Sequence, residues 1–543
     1  MSENSYRTYV LNNMPRLISQ LDRDKNSLTY GCFDRNYWHY KIRDFPSIIL
    51  QQGSLALALL YSNNFKGNIY YKNKKIEEWT LASLYFWMEN QLKDGSFNEY
   101  WPNEHGYPPT VFSLYTTSET YRLLHAFIDK KDGLERALIK SCNFISKHDE
   151  KGAQNQEIAS ITSLYSVYLS IKEKWLLNII DEKVKQILKR QSHEGWISEY
   201  GGADIGYLSV SLGYLAEYYK MSQDKRVFPA LKSIVDFMQF FIHPDSTSGG
   251  DYGSRNTEYF LPNGLEILAA DYSLAGAIAD KLLNNLEKYQ TLPNTVDERY
   301  LSHYFLHSYV GALLNYKPRR DIPKLPCEIK CEKYFKDAGL YVLNNGNYYA
   351  ILGLSKGGVL KVFSQGKEIL NDCGYMAKIS KNKLITTNWV DQSYIKEKKG
   401  NTFIVSGDFH SISQYLPTPL KHFLLRGASS IFGKRLIPIL KKRLITRDIK
   451  VPTTFKRTVT FHGKRIIIDD IITSENVLKE VSTSDGFSFR YVPSSKYFQI
   501  NEIKRINIDK IFQNIRKIEI KKEVDCINGK VFIANENHKK RNS

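Results

Sequence analysis

Hydrophobic positions recur every three to four residues through most of the first 320 residues of the chain. The stretches KIEEWTLASLYFWMENQL, from Lys75, and KRVFPALKSIVDFMQFFI, from Lys225, have the 3.6-residue period of an amphipathic helix. Other stretches of helical length, such as SITSLYSVYL, are apolar on nearly every side and rich in Ser, Ala and Gly. The pattern predicts amphipathic helices that alternate with helices packed on both sides.

The same loop-and-helix pattern repeats along this part of the chain. DGSFNEYWPNEHGYPPTVFSLYTTSETY, from Asp94, matches EGWISEYGGADIGYLSVSLGYLAEYY, from Glu194, at an offset of 100 residues. QNQEIASITSLYSVYL lies between them as a third copy, which halves the period to 50 residues. Weaker copies end at Tyr61 and begin at Gly249 and Arg299, so the chain contains six units.

Six units of this length predict a closed ring of helices. About 50 residues is the length of one helical hairpin with its loops, and a hairpin cannot bury a core alone. An open solenoid is the alternative, although no polar capping repeat is apparent. We therefore predict an (α/α)6 toroid over residues 1–320, with all six loops that precede inner helices gathered at one end.

The pattern changes after a Pro- and Lys-rich linker at residues 317–330. Short β-prone runs follow, such as YYAILGLS, FKRTVTFHG, SFRYVP and KYFQINEI, with turn sequences such as NNG and HGK between them. They predict an antiparallel β-sandwich over residues 321–543. A basic amphipathic helix or helical hairpin at about 419–447 interrupts the strands, and it is expected to cover a sheet edge, contact a polyanionic chain or make peripheral contact with a membrane.

The net charge of +19 lies entirely in the C-terminal part of the chain. Residues 1–320 contain 36 basic and 36 acidic side chains, so the remaining 40 basic and 21 acidic ones carry the whole excess. This favours an anionic partner, and no nucleic-acid motif accompanies it. Six scattered cysteines, the lack of a signal-type N-terminus and the lack of an apolar stretch of about 20 residues predict a cytoplasmic protein with reduced thiols. No metal and no cofactor are predicted.

Several motifs resemble those of the heparinase II/III-like polysaccharide lyases. PNEHG at residues 102–106 is similar to a loop of that family, and both DGSFNEYWPNEHGY and EGWISEYGGADIGY are similar to another. In LSKGGVLKVFSQGKEILNDCGY the second half matches the start of the family's sandwich, whereas the half that carries a histidine and an aspartate there has Lys356 as its charged group. The matching residues are Gly366, Leu370, Asp372, Gly374 and Tyr375.

The resemblance implies a toroid joined to a β-sandwich, in a divergent lyase that cleaves a uronic-acid polysaccharide by β-elimination. That reaction requires neutralisation of the carboxylate, a base for the C5 proton and an acid for the leaving oxygen. We predict Tyr207 as the base, with Asn155 and His105 as the neutralising groups. The predicted substrate-binding residues are Asn103, Glu104, Tyr200, Tyr252, Arg255, Asn256 and Lys356.

Spacing alone leaves the assignment of the base open. Asn155 and Tyr207 lie 52 residues apart, about one repeat, and so do Tyr200 and Tyr252. A glycoside hydrolase on the same ring is a second hypothesis, with two carboxylates drawn from Glu99, Glu104, Glu199, Asp204, Asp251 and Glu258. A non-catalytic protein that binds polysaccharide during surface-polysaccharide assembly is a third.

Overall fold

The computed structural model describes residues 2–288, 290–380, 383–412, 416–444, 448–486 and 494–535. A helical part comes first and antiparallel sheets follow, as predicted. The helices of the first part are α1 (Ser2–Gln20), α2 (Arg35–Trp38), α3 (Gly53–Ser62), α4 (Lys74–Glu89), α5 (Tyr107–Leu124), α6 (Lys131–Ile145), α7 (Gln154–Ile171), α8 (Trp175–Arg190), α9 (Ile205–Ser222), α10 (Phe228–Met238), α11 (Asn263–Leu268), α12 (Ser273–Leu283), α13 (Glu298–Tyr300) and α14 (Leu306–Asn315).

Thirteen strands and three further helices occupy the described residues of the second part. The strands are β1 (Cys331–Phe335), β2 (Leu340–Asn344), β3 (Tyr349–Gly353), β4 (Val359–Ser364), β5 (Lys367–Asp372), β6 (Tyr375–Ser380), β7 (Lys383–Thr386), β8 (Ile395–Lys399), β9 (Thr402–Ile412), β10 (Lys450–Phe461), β11 (Arg465–Thr483), β12 (Ile511–Asp525) and β13 (Lys530–Asn535). The helices are α15 (Pro419–Phe432), α16 (Leu436–Leu444) and α17 (Asn501–Lys504).

Six helices of the first part contact one another in a closed cycle. The order is α3, α5, α7, α9, α11 and α14, and α14 contacts α3 again. The helices α4, α6, α8, α10, α12 and α1 pack against the outside of this cycle, and α1 closes it by packing on α14 and α12. Because the inner helices run in the same sense, the loops at their N-terminal ends share one end of the cycle.

Small hydroxylated residues let the inner helices approach closely. The Ser118 and Ser166 hydroxyls lie 2.7 Å apart between α5 and α7, and the Thr162 hydroxyl donates to the carbonyl of Tyr214 on α9 at 2.7 Å. All three hydroxylated residues are fully buried. Each buried hydroxyl therefore has a partner, which removes the cost of placing polar groups in an apolar core.

The acidic–Gly pair of the repeat has a structural cause. Gly95 and Gly195 adopt φ values of 90° and 100°, in the left-handed region that favours glycine. A Cβ atom would lie 2.2 Å from the Lys140 carbonyl oxygen at Gly95, and 2.1 Å from that of Ser233 at Gly195. The glycine therefore allows the turn to pack directly against the next outer helix.

The strands form two antiparallel sheets. The five-stranded sheet has the order β1-β2-β3-β4-β5, and the eight-stranded sheet has the order β10-β9-β7-β6-β11-β12-β13, with β8 paired to β9. One buried cluster draws side chains from both sheets, including Ala350 and Leu360 from the first and Ile468 and Val481 from the second. The two sheets thus share a hydrophobic core.

A buried ionic network lies where the sequence motif of the second part falls. The Arg457 guanidinium contacts Asp470 at 2.8 Å and Asp372 at 3.3 Å, and the Lys522 ammonium lies 2.6 Å from Asp372. The Tyr375 hydroxyl donates to Asp470 at 2.5 Å. Burial alone would raise the pKa of Asp372, but the two cations outweigh it and hold that pKa below its usual range. Asp372 and Tyr375 therefore take part in a buried network of charges that connects the two sheets.

Two predicted segments differ from expectation or lie outside the described residues. KYFQINEI, predicted as a strand, is irregular and runs into α17. It packs on the helical part instead of pairing in a sheet, because Tyr497 contacts the Tyr300 ring at 5.8 Å and Gln499 donates to Glu258 at 2.8 Å. The predicted run SFRYVP, at 488–493, and the last residues of the basic segment, 445–447, lie outside the described residues.

Candidate active site

The loops before α7 and α9 are joined by a buried hydrogen bond. Asn155, the second residue of α7, donates its side-chain amide to the Glu199 carboxylate at 2.7 Å. A bridge between Ala153 and Glu199 and a bond from the Tyr200 amide to the Gly152 carbonyl, at 2.7 Å, align the two loops. Two neighbouring repeats therefore place an amide and a carboxyl group side by side.

Asp204 fixes the start of α9 and the loop that follows the next outer helix. One carboxylate oxygen accepts the Tyr207 amide at 3.1 Å, so that Asp204 caps α9. The other accepts the Arg255 amide at 2.8 Å, and the Thr257 hydroxyl also donates to this carboxylate. Asp204 is thereby occupied by structural bonds, and it holds Tyr207 and Arg255 beside each other.

The Arg255 side chain extends over the aromatic ring of Tyr200. Its guanidinium carbon lies 4.6 Å from the centroid of the Tyr200 ring, in cation–π geometry. Arg255 is buried, whereas Tyr200 and Tyr207 are partly exposed. Burial raises the pKa of the Tyr207 hydroxyl, the positive charge of Arg255 lowers it, and a negative charge on Glu199 raises it further, so that it stays above its ordinary value.

Glu199 is a carboxyl group with an unusual pKa. Burial raises its pKa to about 8, although the hydrogen bond from Asn155 and the charge of Arg255 both lower it. At neutral pH the protonated form therefore predominates. A protonated Glu199 therefore adds no negative charge beside Arg255.

Residues of the second part complete the wall of the site. The Lys356 ammonium donates to the Gly253 carbonyl at 2.7 Å and to the Asn256 side-chain oxygen at 2.5 Å. The Tyr207 hydroxyl lies 2.7 Å from the hydroxyl of Ser494. The side-chain amide nitrogen of Asn256 is buried and has no hydrogen-bond partner among the described residues. It is a donor that an incoming ligand would satisfy.

Tyrosines and a histidine extend the site towards the last inner helix. The Tyr207 ring lies 6.1 Å from that of Tyr259, whose hydroxyl is 3.2 Å from the Tyr304 hydroxyl. His303 precedes Tyr304 in a π-helical turn, Leu301–Phe305, of a kind often found at functional sites. Burial lowers the pKa of His303 well below its ordinary value, so the ring is neutral. Neither ring nitrogen has a hydrogen-bond partner in the described part of the chain.

The structure therefore brings six predicted site residues together and places four others elsewhere. Those brought together are Asn155, Tyr200, Tyr207, Arg255, Asn256 and Lys356. His105 and Asn103 lie in the loop before α5. The His105 ring bonds to Asp94 at 2.8 Å, and the Asn103 amide donates to Ser430 of α15 at 3.4 Å.

Glu104 and Tyr252 are buried and face other groups. The Glu104 carboxylate accepts the backbone amides of Glu99 and Tyr100 at 2.6 and 2.8 Å. Burial and the neighbouring Glu99 raise the pKa of Glu104 to about 8. The Tyr252 hydroxyl is 2.9 Å from the ring nitrogen of His243. The substrate contacts proposed for both residues stay predictions.

One group among the described residues has the composition of a metal site. His193, Glu194 and Asp337 place potential ligand atoms within 4.8 Å of one another near the surface. The Glu194 carboxylate already accepts the backbone amides of Asp337 and Ala338, each at 2.9 Å. These bonds give the cluster a structural role at the contact between the helical part and the sheets, and no ligand is assigned to it.

No family model matches the chain, and no curated protein matches it. The structure is similar to that of a chondroitin AC lyase from Streptomyces coelicolor A3 in complex with chondroitin sulphate, with a TM-score of 0.57 and 9% identity over 88% of this chain and 67% of that chain. A tyrosine-to-alanine mutant of that lyase matches over the same shares, with a TM-score of 0.50 and 10% identity. This chain has the chondroitin AC lyase fold.

A solved heparinase III also matches, with a TM-score of 0.46 and 10% identity over 90% of this chain and 73% of that chain. The resemblance to polysaccharide lyases drawn from sequence motifs is confirmed, at the level of the fold alone, by the two chondroitin AC lyase structures. The closed cycle of helices in this fold explains why the loops before the inner helices, which are far apart in sequence, lie at one end of the helical part. It says nothing of the groups at the reaction centre.

Three residues of the candidate site are not assigned to the lyase reaction from the sequence. Ser494 lies 287 residues from Tyr207, in a segment without a motif, and nothing in the sequence signals its position. Glu199 was considered only as a hydrolase carboxylate. A signal for it did exist, because it stands 100 residues after Glu99 in the matched repeat. His303 lies in the weak last copy of the repeat, at which the π-helical turn disturbs the helix period.

Proposed function

We propose that this chain is a polysaccharide lyase that cleaves an anionic, uronic-acid polysaccharide by β-elimination. In this proposal the closed cycle of helices is the (α/α)6 toroid of residues 1–320, and the two sheets are the β-sandwich of residues 321–543. The carrying observation is the position of Tyr207 in the first turn of α9. The residue is partly exposed, and the pKa of its hydroxyl responds to Arg255 and Glu199.

The proposed reaction begins with recognition of the substrate carboxylate. The Arg255 guanidinium is a planar fork that can bind both oxygens of a carboxylate. The side-chain amide nitrogen of Asn256, which has no hydrogen-bond partner among the described residues, lies in the same loop. The amide of Asn155 is held in place by Glu199 on the opposite side. Neutralisation of the carboxylate by these groups makes the C5 proton of the uronate acidic.

Tyr207 then acts as base and, after bond cleavage, as acid. Its phenolate takes the C5 proton, the electron pair forms the C4–C5 double bond, and the C4–O glycosidic bond breaks. The leaving glycosidic oxygen takes the proton from the Tyr207 hydroxyl, which restores the phenolate. No water is consumed. Arg255 favours the phenolate, and Glu199 opposes it only when ionised, so a protonated Glu199 helps the base.

The test is an ultraviolet assay of purified protein on a panel of uronic-acid polysaccharides. A lyase creates a double bond conjugated to the carboxylate, and absorbance rises as product forms. Tyr207→Phe should lower kcat by about a thousandfold, because it removes the proton-transfer group. Tyr219→Phe is the matched control on the same helix, and it should retain activity. If Tyr207→Phe were as active as the wild type, the base would be another group.

A hydrolase is the second candidate, and the pKa of Glu199 favours it. A carboxyl group with a pKa near 8 is protonated at neutral pH and is suited to act as a general acid. It would need a second carboxylate, and the nearby Asp204 is already bound by the amides of Tyr207 and Arg255. Product that carries new reducing ends without ultraviolet absorbance would establish hydrolysis and exclude β-elimination.

A further inference from the structure

The helical hairpin between β9 and β10 has an unusual composition. It consists of α15 and α16, joined by a 3-10 turn at Gly433–Arg435. Residues 416–447 contain eight Lys and Arg side chains and no Asp or Glu. A segment of this length with only positive charges repels copies of itself and attracts an anionic surface.

The polar side of α15 faces the protein. Ser429 is buried, the Arg426 guanidinium binds Asp44 with one contact at 2.7 Å, and Ser430 accepts from Asn103. Asp44 and Asn103 belong to the loops before α3 and α5, at the N-terminal ends of inner helices. The hairpin is therefore anchored at the same end of the helical part as the candidate active site.

The apolar side of α15 faces solvent. Leu420, Phe423, Leu424 and Ile431 are 67, 74, 59 and 77% exposed. At about 100° per residue these four positions fall within one sector of about 100°, opposite the buried Ser429, and they form what we call the apolar stripe of α15. Leu416, Phe432 and Ile439 are also exposed, at 76, 55 and 62%. An amphipathic helix in a soluble protein normally has the reverse orientation.

The charge of the hairpin and the exposure of its apolar side chains together indicate which partner binds this surface. A hydrated polyanionic chain would satisfy the positive charges but leave the large apolar side chains in water. A second copy of this chain would cover them but would bring two segments of charge +8 together. A bilayer with anionic headgroups satisfies both features, because the apolar stripe enters the acyl region and the basic residues meet the headgroups.

We infer that α15 and α16 form a peripheral docking surface for an anionic lipid bilayer. The helix lies in the plane of the interface, and no helix in the described ranges is long and apolar enough to cross a membrane. Docking directs the end of the helical part that carries the candidate active site towards the membrane. This inference stands on the exposed stripe and the charges, and it holds whether or not the chain is a lyase.

The test is co-sedimentation of the full chain with vesicles at low salt. Wild type should bind phosphatidylcholine vesicles that contain about one quarter phosphatidylglycerol and bind pure phosphatidylcholine far less. The double variant Phe423→Ser and Ile431→Ser should bind the anionic vesicles at least about tenfold more weakly. Lys421→Gln with Arg435→Gln keeps the stripe and should weaken binding by roughly 30-fold through loss of two charges.

The matched control replaces two apolar residues of the helical part that are at least about as exposed as Phe423 and Ile431. Leu28 and Ile69 are 103 and 76% exposed, and Leu28→Ser with Ile69→Ser should leave vesicle binding unchanged. Thermal unfolding of each variant confirms that it is folded. Failure of the wild type to bind anionic vesicles would overturn the inference. A wild-type dimer that dissociates in the Phe423→Ser and Ile431→Ser variant would also overturn it. So would binding of heparin-type polyanions that this variant retains, if the wild type does not bind vesicles.

Discussion

Single residues in the candidate site are balanced between two electrostatic effects. Burial disfavours the charged forms of Tyr207 and Glu199, and the positive charge of Arg255 favours both. For Tyr207 the balance leaves the pKa above its ordinary value, so the phenolate that acts as base in the proposed reaction is the minor form, and for Glu199 it places the pKa near 8. Titration of Glu199 and removal of Arg255 therefore have consequences that can be measured separately, one in stability and one in rate.

The folded protein should lose stability as Glu199 ionises. Its pKa is raised from an ordinary value near 4.5 to about 8, so the folded state holds a proton that the unfolded state releases. Stability from this group is complete below pH 4.5 and falls as the pH rises to about 8. Glu199→Gln removes this loss and should be more stable than wild type by on the order of 2–4 kcal/mol at pH 8.

The measurement is the midpoint of thermal unfolding between pH 5 and pH 8.5. The difference between Glu199→Gln and wild type should grow with pH and then level off. Glu182→Gln, at an exposed position on α8, is the control substitution measured under the same conditions. A constant difference for Glu199→Gln would mean that the carboxyl group has an ordinary pKa in the folded protein.

Arg255 should set the pH at which the proposed base works. Removal of its charge in Arg255→Gln raises the pKa of Tyr207, so the rising limb of kcat/KM against pH should move to higher pH. The loss of the carboxylate contact should lower kcat/KM by about 10²- to 10³-fold. Arg226→Gln, a surface arginine paired with Asp224, is the control. A lowered rate with an unshifted profile would assign Arg255 to binding alone.

At the scale of elements, the repeat predicts helices well and their contacts poorly. The period places α4 and α10 close to their observed bounds, because an amphipathic helix reveals its buried side in sequence. The same period cannot reveal that Asp204 binds the Arg255 amide, or that Ser494 reaches Tyr207 from the second part. Those contacts depend on how loops pack after the helices have assembled.

The repeated acidic–Gly pair has a structural role. It belongs to stretches that are similar in sequence to a loop of the lyases, and the structure shows Gly195 in a turn packed against Ser233. Asp372 and Tyr375, matched to a lyase motif, serve the buried network around Arg457. Sequence similarity in these places reports the requirements of the fold. Candidate catalytic residues must be sought at the positions between these motifs.

Two glycine substitutions test this distinction within one repeat. Gly195→Ala should destabilise the protein by about 2–4 kcal/mol, because its φ of 100° is strained for alanine and its Cβ would collide with the Ser233 carbonyl. Gly213→Ala, in the interior of α9 with no atom within 4 Å of the new Cβ, should stabilise by about 0.5–1 kcal/mol. Chemical denaturation measures both, and equal effects would contradict the geometry.

At the scale of the whole molecule, buried charges join the helices to the sheets. The Lys361 ammonium on β4 lies 3.3 Å from Glu368 on β5 and 3.8 Å from Glu258 in the loop before α11. Burial raises the pKa of Glu258 to about 7, and Lys361 keeps it from rising further. Together with the bonds from Lys356 to Gly253 and Asn256, these contacts join the loop between α10 and α11 to the sheets.

Lys361→Met should destabilise the protein by about 2–4 kcal/mol, because the partly exposed Glu258 loses its cation and the buried Glu368 loses one cation while it retains Arg505 at 3.3 Å. The helical part and the sheets should also separate more readily, so limited proteolysis in the linker at 317–330 should accelerate. Lys398→Met removes an ion pair with Glu332 that is partly exposed, and it should change stability by less than about 1 kcal/mol. Similar effects of the two variants would show that Lys361 does not connect the parts.

The hairpin contacts the loop before α5, so the proposed docking surface lies beside the end of the helical part that carries the candidate active site. Asn103 and His105 sit in a loop that α15 touches directly, since Ser430 bonds to Asn103 and Gly433 lies next to the His105 ring. An enzyme confined to a surface searches for its polymer in two dimensions, and it meets chains near the point at which they leave that surface. Under the two proposals above, the lipid composition of the membrane would determine where this protein meets and cleaves its polysaccharide.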